Sequence, residues 1–141
     1  MTDLSRVKLV PLNTNVDARS GRLTAVEGES EIPFMIHRIF YVYNVVEGDE
    51  RGGHAHPGTE QFLIALGGSL SVDVMSPLEK QTFHLDDPAV GLYLPPMLWV
   101  RLYDFSAGAF CFVAASTHYA EGEVIRDWDL YLQRASLGVA G

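Results

Sequence analysis

Cysteine is nearly missing from this sequence: Cys111 is the one thiol in 141 residues. An intramolecular disulfide is therefore excluded. The apolar run AFCFVAA around Cys111 reads as the setting of a buried structural thiol, not of a nucleophile. That usage agrees with a reducing compartment. Positive charge is scarce as well: ten Lys and Arg stand against 18 Asp and Glu, for a formal charge of −8. Non-specific nucleic-acid binding needs a broad basic surface, so no nucleic-acid partner is expected. A small phosphorylated ligand is still allowed, because a few arginines focused in one cleft suffice for it. No apolar run approaches the roughly 18 residues that span a bilayer, and the start, MTDLSRVKLVPL, has no apolar signal core. The expectation is a cytoplasmic protein with no membrane partner. Repeats and low-complexity linkers are also missing. With 48% hydrophobic and 20% charged residues, the chain is expected to fold as one globular domain, residues 1–141.

What is present is a series of short strand signals. Val7–Pro11 reads as a strand that its proline confines to an edge, and NTNVDARSGR as a polar loop. LTAVE, from Leu23 to Glu27, alternates like a strand. The stretch from Met35 to Val46, rich in β-branched and aromatic residues, predicts a long strand. FLIAL and SLSVDVM, separated by Gly67-Gly68, predict a hairpin. QTFHL adds a short strand, and Pro95-Pro96 splits VGLYLPPMLWVRLYDF into two. AFCFVAAS reads as a strand buried on both faces. Only the tail has helical spacing: Val124, Trp128, Tyr131 and Leu132 share a side, predicting a helix over about 123–134. The whole pattern is that of an all-β jelly-roll barrel or sandwich with one short C-terminal helix.

The richest stretch chemically is Gly48 to Gly68, GDERGGHAHPGTEQFLIALGG. In an extended backbone alternate residues share a face, so His54 and His56 point together and Ala55 points away. Two imidazoles on one face, with Arg51 before them and Glu60-Gln61 after, form a site for proton transfer or for a metal. Gly48, His54, His56, Glu60 and Gly67 satisfy the first signature of the cupin superfamily. In metal-binding cupins the two histidines and the glutamate are ligands, and a second signature supplies a further histidine. The matching stretch here, Gly91 to Trp99, has none, and His37, His84 and His118 do not sit at that spacing. A three-ligand site of His54, His56 and Glu60 is left chemically open.

Further residues narrow the resemblance. Arg38-Ile-Phe-Tyr-Val-Tyr43, Arg51-Gly-Gly-His-Ala-His56, Glu60-Gln61, the run from Pro88 to Trp99, and Tyr119 with Ile125-Arg126-Asp127 resemble the dTDP-sugar 3,4-ketoisomerases. The likeness runs from about Leu23 to Leu132, and R-G-x-H-A-H with G-L-Y-x-P-P-x-x-W is far more specific than H-x-H alone. It implies a cupin-type fold, no metal or cofactor, and a homodimer that exchanges N-terminal strands, here Val7–Pro11. It also implies that His54 and His56 are an acid/base pair. Their reaction would convert dTDP-4-keto-6-deoxyglucose to a 3-keto-6-deoxy sugar nucleotide.

The chemistry asks for such a pair independently. Moving a carbonyl from C4 to C3 takes a proton from C3 and returns one at C4, through an enediol or enediolate. Imidazole, which titrates near 6.5, suits both transfers. His54 is read as the carbon base and His56 as the group serving the oxygens, with the reverse order also open. Arg51 would serve the oxyanion or the pyrophosphate. Arg38, inside an apolar strand, calls for an ionic partner or else sits as a surface charge at an edge. Gln61 either hydrogen-bonds the sugar or merely begins a strand. Tyr43, Tyr93 and Trp99 either line the cavity and stack on thymine or are core aromatics. The chain departs from its relatives at Phe40, where tyrosine is common, and at Asp17-Ala-Arg-Ser-Gly-Arg-Leu23, one residue longer than usual. The second departure leaves the galacto or gluco outcome at C4 open. A non-catalytic sugar-binding cupin is the remaining alternative.

Overall fold

The computed structural model describes residues 3–140, with side chains as far as Ser136. The elements are β1 (Lys8–Pro11), β2 (Thr14–Asp17), β3 (Gly21–Thr24), β4 (Arg38–Tyr43), β5 (Arg51–Ala55) and β6 (Gln61–Gly67). They continue as β7 (Leu70–Met75), β8 (Lys80–Leu85), β9 (Val90–Leu94), β10 (Trp99–Tyr103), β11 (Phe110–Ala115), a 3-10 turn (Tyr119–Glu121) and helix α1 (Trp128–Ala140). One antiparallel sheet has the order β1-β9-β6-β11-β4 and the other β5-β10-β7-β8. Alternation along the strands turns one side chain in two toward a shared core: Leu63 and Ala65, Leu70, Val72 and Val74, Leu92 and Leu94, Leu102, Cys111 and Val113. Each such Val or Leu contributes roughly 1.5–3 kcal/mol by leaving water. Burial pushes the Cys111 thiol up to about 12, so this residue is inert packing, as its apolar setting predicts. The all-β jelly-roll with a C-terminal helix is the fold observed. Among the described residues no helix is long and apolar enough to cross a membrane.

Three elements differ from the sequence reading. FLIAL and SLSVDVM are strands but not a hairpin: β6 pairs with β9 and β11, while β7 pairs with β10 and β8. The Gly67-Gly68 link instead carries the chain from one sheet to the other. Gly68 has φ +63, and a Cβ there would meet Ser106 Oγ at 2.5 Å and Ala109 Cα at 2.8 Å, so only glycine makes this crossing. NTNVDARSGR is part of a two-stranded hairpin, β2 with β3, and not an open loop. Local polar bonds close it: Asp17 Oδ1 accepts from the backbone of Arg19 and Ser20, and the Thr14 and Thr24 hydroxyls meet at 2.6 Å.

The helix starts five residues later than its periodicity predicts. Asp127 Oδ1 accepts from the backbone N–H groups of Asp129 (2.8 Å) and Leu130 (3.2 Å), which caps α1 at Trp128. The residues before it are extended, because Ile125 exchanges two backbone hydrogen bonds with Ala55, at 2.9 and 2.8 Å. Behind that bridge Trp99, Ile125, Tyr131 and Ala135 form a small core between α1 and the outer face of the four-stranded sheet. Tyr131 lies at its centre and donates through its hydroxyl toward the backbone oxygens of Met75 and Met97.

Candidate active site

β5 carries the functional pair. His54 lies opposite Val100 of β10 and faces the interior. Ala55 is fully buried on the other side, beneath α1, and His56 follows on the interior side again, just past the strand end. The two imidazole rings lie edge to face, 4.8 Å between centroids at 89°. Strict alternation would send Arg51, three residues before His54, to the opposite face. The register with β10 shifts between Val100 and Arg101, so that Gly53 is an extra residue and Arg51 pairs with the inward-facing Leu102. Arg51 and His54 therefore share a side. The bulge needs its glycines: Gly52 has φ +90 and Gly53 +70, and a Cβ on Gly52 would lie 2.7 Å from the Val100 carbonyl oxygen.

Two adjoining hollows open beside the pair. The inner one, about 330 Å³, is lined by Arg51, Gln61, Val100 and Val113. The outer one, about 540 Å³, is lined by Arg38, His56, Tyr119 and Val124. His54, Phe40 and Arg126 border both. The Arg38 guanidinium sits between the rings of Phe40 and Tyr119, 5.5 and 5.6 Å from their centroids. Among the described residues Arg38, Arg51 and Arg126 make no ion pair. Among the described residues Arg38 Nε and the Nδ1 atoms of both histidines are buried without a hydrogen bond of regular geometry, although the Gly52 and Glu123 backbones lie against the His54 and His56 rings. Three arginines without an ion pair among the described residues, beside two imidazoles and open space, mark a place prepared for an anionic ligand.

The electrostatics keep both imidazoles neutral near pH 7. Burial is the main cause lowering His54, partly offset by the Gly52 backbone, and the charges of Arg126 and Arg51 add to it. For His56, burial, the neighbouring His54 and the charge of Arg38 bring the value down to about 4. Neutral imidazoles accept protons, so the site is equipped with bases beside cations.

Strand parity places the other expected residues. Arg38 and Gln61 face the hollows, with Gln61 only 8% exposed. Tyr43 does not: Arg38, Phe40 and Val42 alternate inward on β4, and Tyr43 stacks on Phe110 on the outer face, 5.4 Å between centroids. Tyr93 also faces outward, since Leu92 and Leu94 take the inward positions of β9. Its hydroxyl donates to Glu60 Oε1 at 2.6 Å and accepts from Arg6 at 3.2 Å. Trp99 belongs to the core beneath α1, where it meets Trp128 edge to face. Glu60, the third ligand of a metal site in the sequence reading, is turned away by the same alternation: Gln61 faces the histidines and the Glu60 carboxylate is held by Tyr93. Among the described residues no three His, Cys, Asp or Glu side chains are grouped to hold a metal ion. Arg126 and Tyr119, which the sequence reading named for the resemblance but gave no site role, also line the outer hollow. Asp127, read as a helix cap, would have put Arg126 on an extended segment beside the histidines.

Fold and site define a small cupin that sets neutral imidazoles around two adjoining hollows, with arginines that make no ion pair among the described residues. The chain belongs to the family described as FdtA: WxcM-like, C-terminal, whose model matches residues 5–136. It is 38% identical over 122 residues to a TDP-4-oxo-6-deoxy-alpha-D-glucose-3,4-oxoisomerase of Aneurinibacillus thermoaerophilus, covering 86% of this chain and 87% of that one. The sugar 3,4-ketoisomerase QdtA of Thermoanaerobacterium thermosaccharolyticum, solved with TDP, is 37% identical with a TM-score of 0.91, covering 96% and 98% of the two chains. The same enzyme has been solved, as a histidine-to-asparagine mutant, with TDP-4-keto-6-deoxyglucose. The WlaRB TDP-quinovose 3,4-ketoisomerase of Campylobacter jejuni is 33% identical with a TM-score of 0.86, covering 92% and 98%.

Proposed function

We propose that this chain is an isomerase that converts dTDP-4-keto-6-deoxyglucose to a dTDP-3-keto-6-deoxyhexose, with His54 and His56 moving the protons. The observation that carries the reading is the edge-to-face imidazole pair of His54 and His56 beside Arg38, Arg51 and Arg126, which make no ion pair among the described residues, around two adjoining hollows. A sugar nucleotide supplies what these groups lack: a diphosphate for the guanidiniums and carbon and oxygen acids for the imidazoles.

His54 borders both hollows and is assigned as the carbon base. Its neutral ring takes the C3 proton, the C3–H electrons form the C3=C4 double bond, and the C4 carbonyl becomes an oxyanion. His56 carries the proton from the C3 hydroxyl to the C4 oxygen. The proton on His54 exchanges with water while the enediolate lasts, and His54 then delivers a proton to C4 as the C3 carbonyl forms, so no atom is gained or lost. Arg126, beside both rings, favours the enediolate by its charge. Gln61, on the inner wall, is placed to hydrogen-bond the sugar. The relatives known with TDP and with the keto sugar support this choice of substrate.

The deciding experiment is NMR of the protein with dTDP-4-keto-6-deoxyglucose in D₂O with a chelator. Deuterium entering the ring together with a 3-keto product is the expected result; neither exchange nor product would refute the reading. The homodimer is part of the same proposal. β1 is the edge strand of its sheet and pairs here with β9 of its own chain, Lys8 opposite Tyr93. Exchange between subunits would reproduce that pairing on a second copy. Removing the residues before Leu12 should then weaken the dimer in light scattering.

A further inference from the structure

We propose that Arg101 is a positioning residue that holds the Glu50 carboxylate away from Arg51 and so keeps Arg51 free for the diphosphate of the ligand. The inference rests on the sugar-nucleotide reading above. Glu50 and Arg51 are adjacent, and both border the inner hollow. A Glu50 carboxylate turned into this hollow would offer Arg51 a partner, leaving less of Arg51 for a phosphate. Glu50 is instead drawn the other way. Arg101 Nη1 donates to Glu50 Oε2 at 2.9 Å, while Nη2 donates to Asp73 Oδ2 at 2.8 Å.

The far end of this clamp is rigid. Asp73 is 1% exposed and also accepts from Thr82 Oγ1 at 2.8 Å and the Tyr103 hydroxyl at 2.9 Å, with Lys80 Nζ at 3.5 Å. The Arg101 guanidinium lies over the Tyr103 ring, 4.1 Å from its centroid. Two carboxylates thus meet two cations, and Glu50 presents no uncompensated charge to an incoming anion. Position matters as much as charge. Arg101 pairs across the sheet with Gly52, where the bulge turns Arg51 inward. A planar guanidinium reaches two acceptors at once from this point, which the single ammonium of lysine does not.

The test is calorimetric titration of TDP into the wild type, Arg101→Met, Glu50→Gln and the double variant, with folding checked by circular dichroism. Arg101→Met should weaken TDP about tenfold, the scale of one charged hydrogen bond. Glu50→Gln alone should stay within about twofold of wild type, since its charge is already compensated. The double variant should recover most of the lost affinity, because nothing then competes for Arg51. A weakened single variant that Glu50→Gln does not rescue would overturn the clamp, as would an Arg101→Met protein that binds TDP normally. If Arg101→Met fails to fold, Arg101→Lys, which keeps a cation beside Asp73 but cannot fork to Glu50, replaces it in both arms. A wild type that does not bind TDP at all would instead overturn the sugar-nucleotide reading, and this inference with it.

Discussion

Two polar clusters lie on opposite faces of β10 and its neighbours, and they differ in one respect. On the outer face the Asp73 carboxylate accepts from Arg101, Thr82 and Tyr103 and has Lys80 beside it. On the inner face Arg38, Arg51 and Arg126 make no ion pair among the described residues, and both imidazoles border open space. Both clusters combine titratable groups with arginine, and both are partly desolvated. The satisfied one builds the strand; the unsatisfied one awaits something the chain does not contain. Charge pairing, more than residue type, separates scaffold from site here.

Breaking the inner cluster should have the larger effect on turnover. His54→Asn should lower kcat by about a thousandfold, within the range for loss of a positioned acid/base group, while TDP affinity measured by calorimetry stays close to wild type. A near-normal rate would remove His54 from its assigned role. Breaking the outer cluster should act on stability first. Asp73→Asn should lower the free energy of unfolding by about 1–3 kcal/mol in denaturant titration, because buried donors lose a charged acceptor.

That second effect has a sign in pH. Burial pushes the Asp73 carboxyl up, but the hydrogen bonds from Arg101, Thr82 and Tyr103 and the charge of Lys80 outweigh it and hold the group at about 2, below the ordinary 3.8. A depressed carboxyl stabilises fully above its unfolded value and loses that contribution as pH falls toward its folded one. The stability gap between wild type and Asp73→Asn should therefore be full above pH 3.8 and close as pH falls toward 2. On the inner face the signs concern activity. Both imidazoles are lowered, so the acid limb of the kcat/KM profile should lie below 6.5. Arg126→Met, which removes a charge that depresses both imidazoles, should move that limb upward. A limb that stays in place would separate Arg126 from the histidine electrostatics. The smallest effect belongs to a residue in neither cluster: Tyr43→Ser, on the outer face of the other sheet, should leave kcat/KM within about twofold.

The comparison also explains what was legible in the sequence. The face shared by His54 and His56 follows from a period of two, and the strand signals around them from β-branched runs cut by glycine and proline. Parity failed wherever a single residue shifted it. Arg51 reaches the histidine side only through the bulge at Gly53, which one sequence does not announce. Gln61, named for the sugar, does face the hollow, whereas Glu60, weighed as the third ligand of the metal alternative, is turned outward by the same alternation. Tyr93 and Trp99 are hydrophobic enough for either face, and only the inward turn of Leu92, Leu94 and Val100 fixes them. The site role of Arg126 was hidden by a helical pattern that began too early, before the Asp127 cap was recognised.

The bridge between Ala55 and Ile125 has a consequence in time. A ribosome adds roughly 5–20 residues per second. The strand bearing the histidines is therefore finished several seconds before the segment that carries Arg126 and completes the outer wall. Until Ile125 docks on Ala55, the half-made chain has its bases but not its full set of cations. The nascent chain thus lacks the Arg126 guanidinium beside its histidines until the segment around Ile125 is in place.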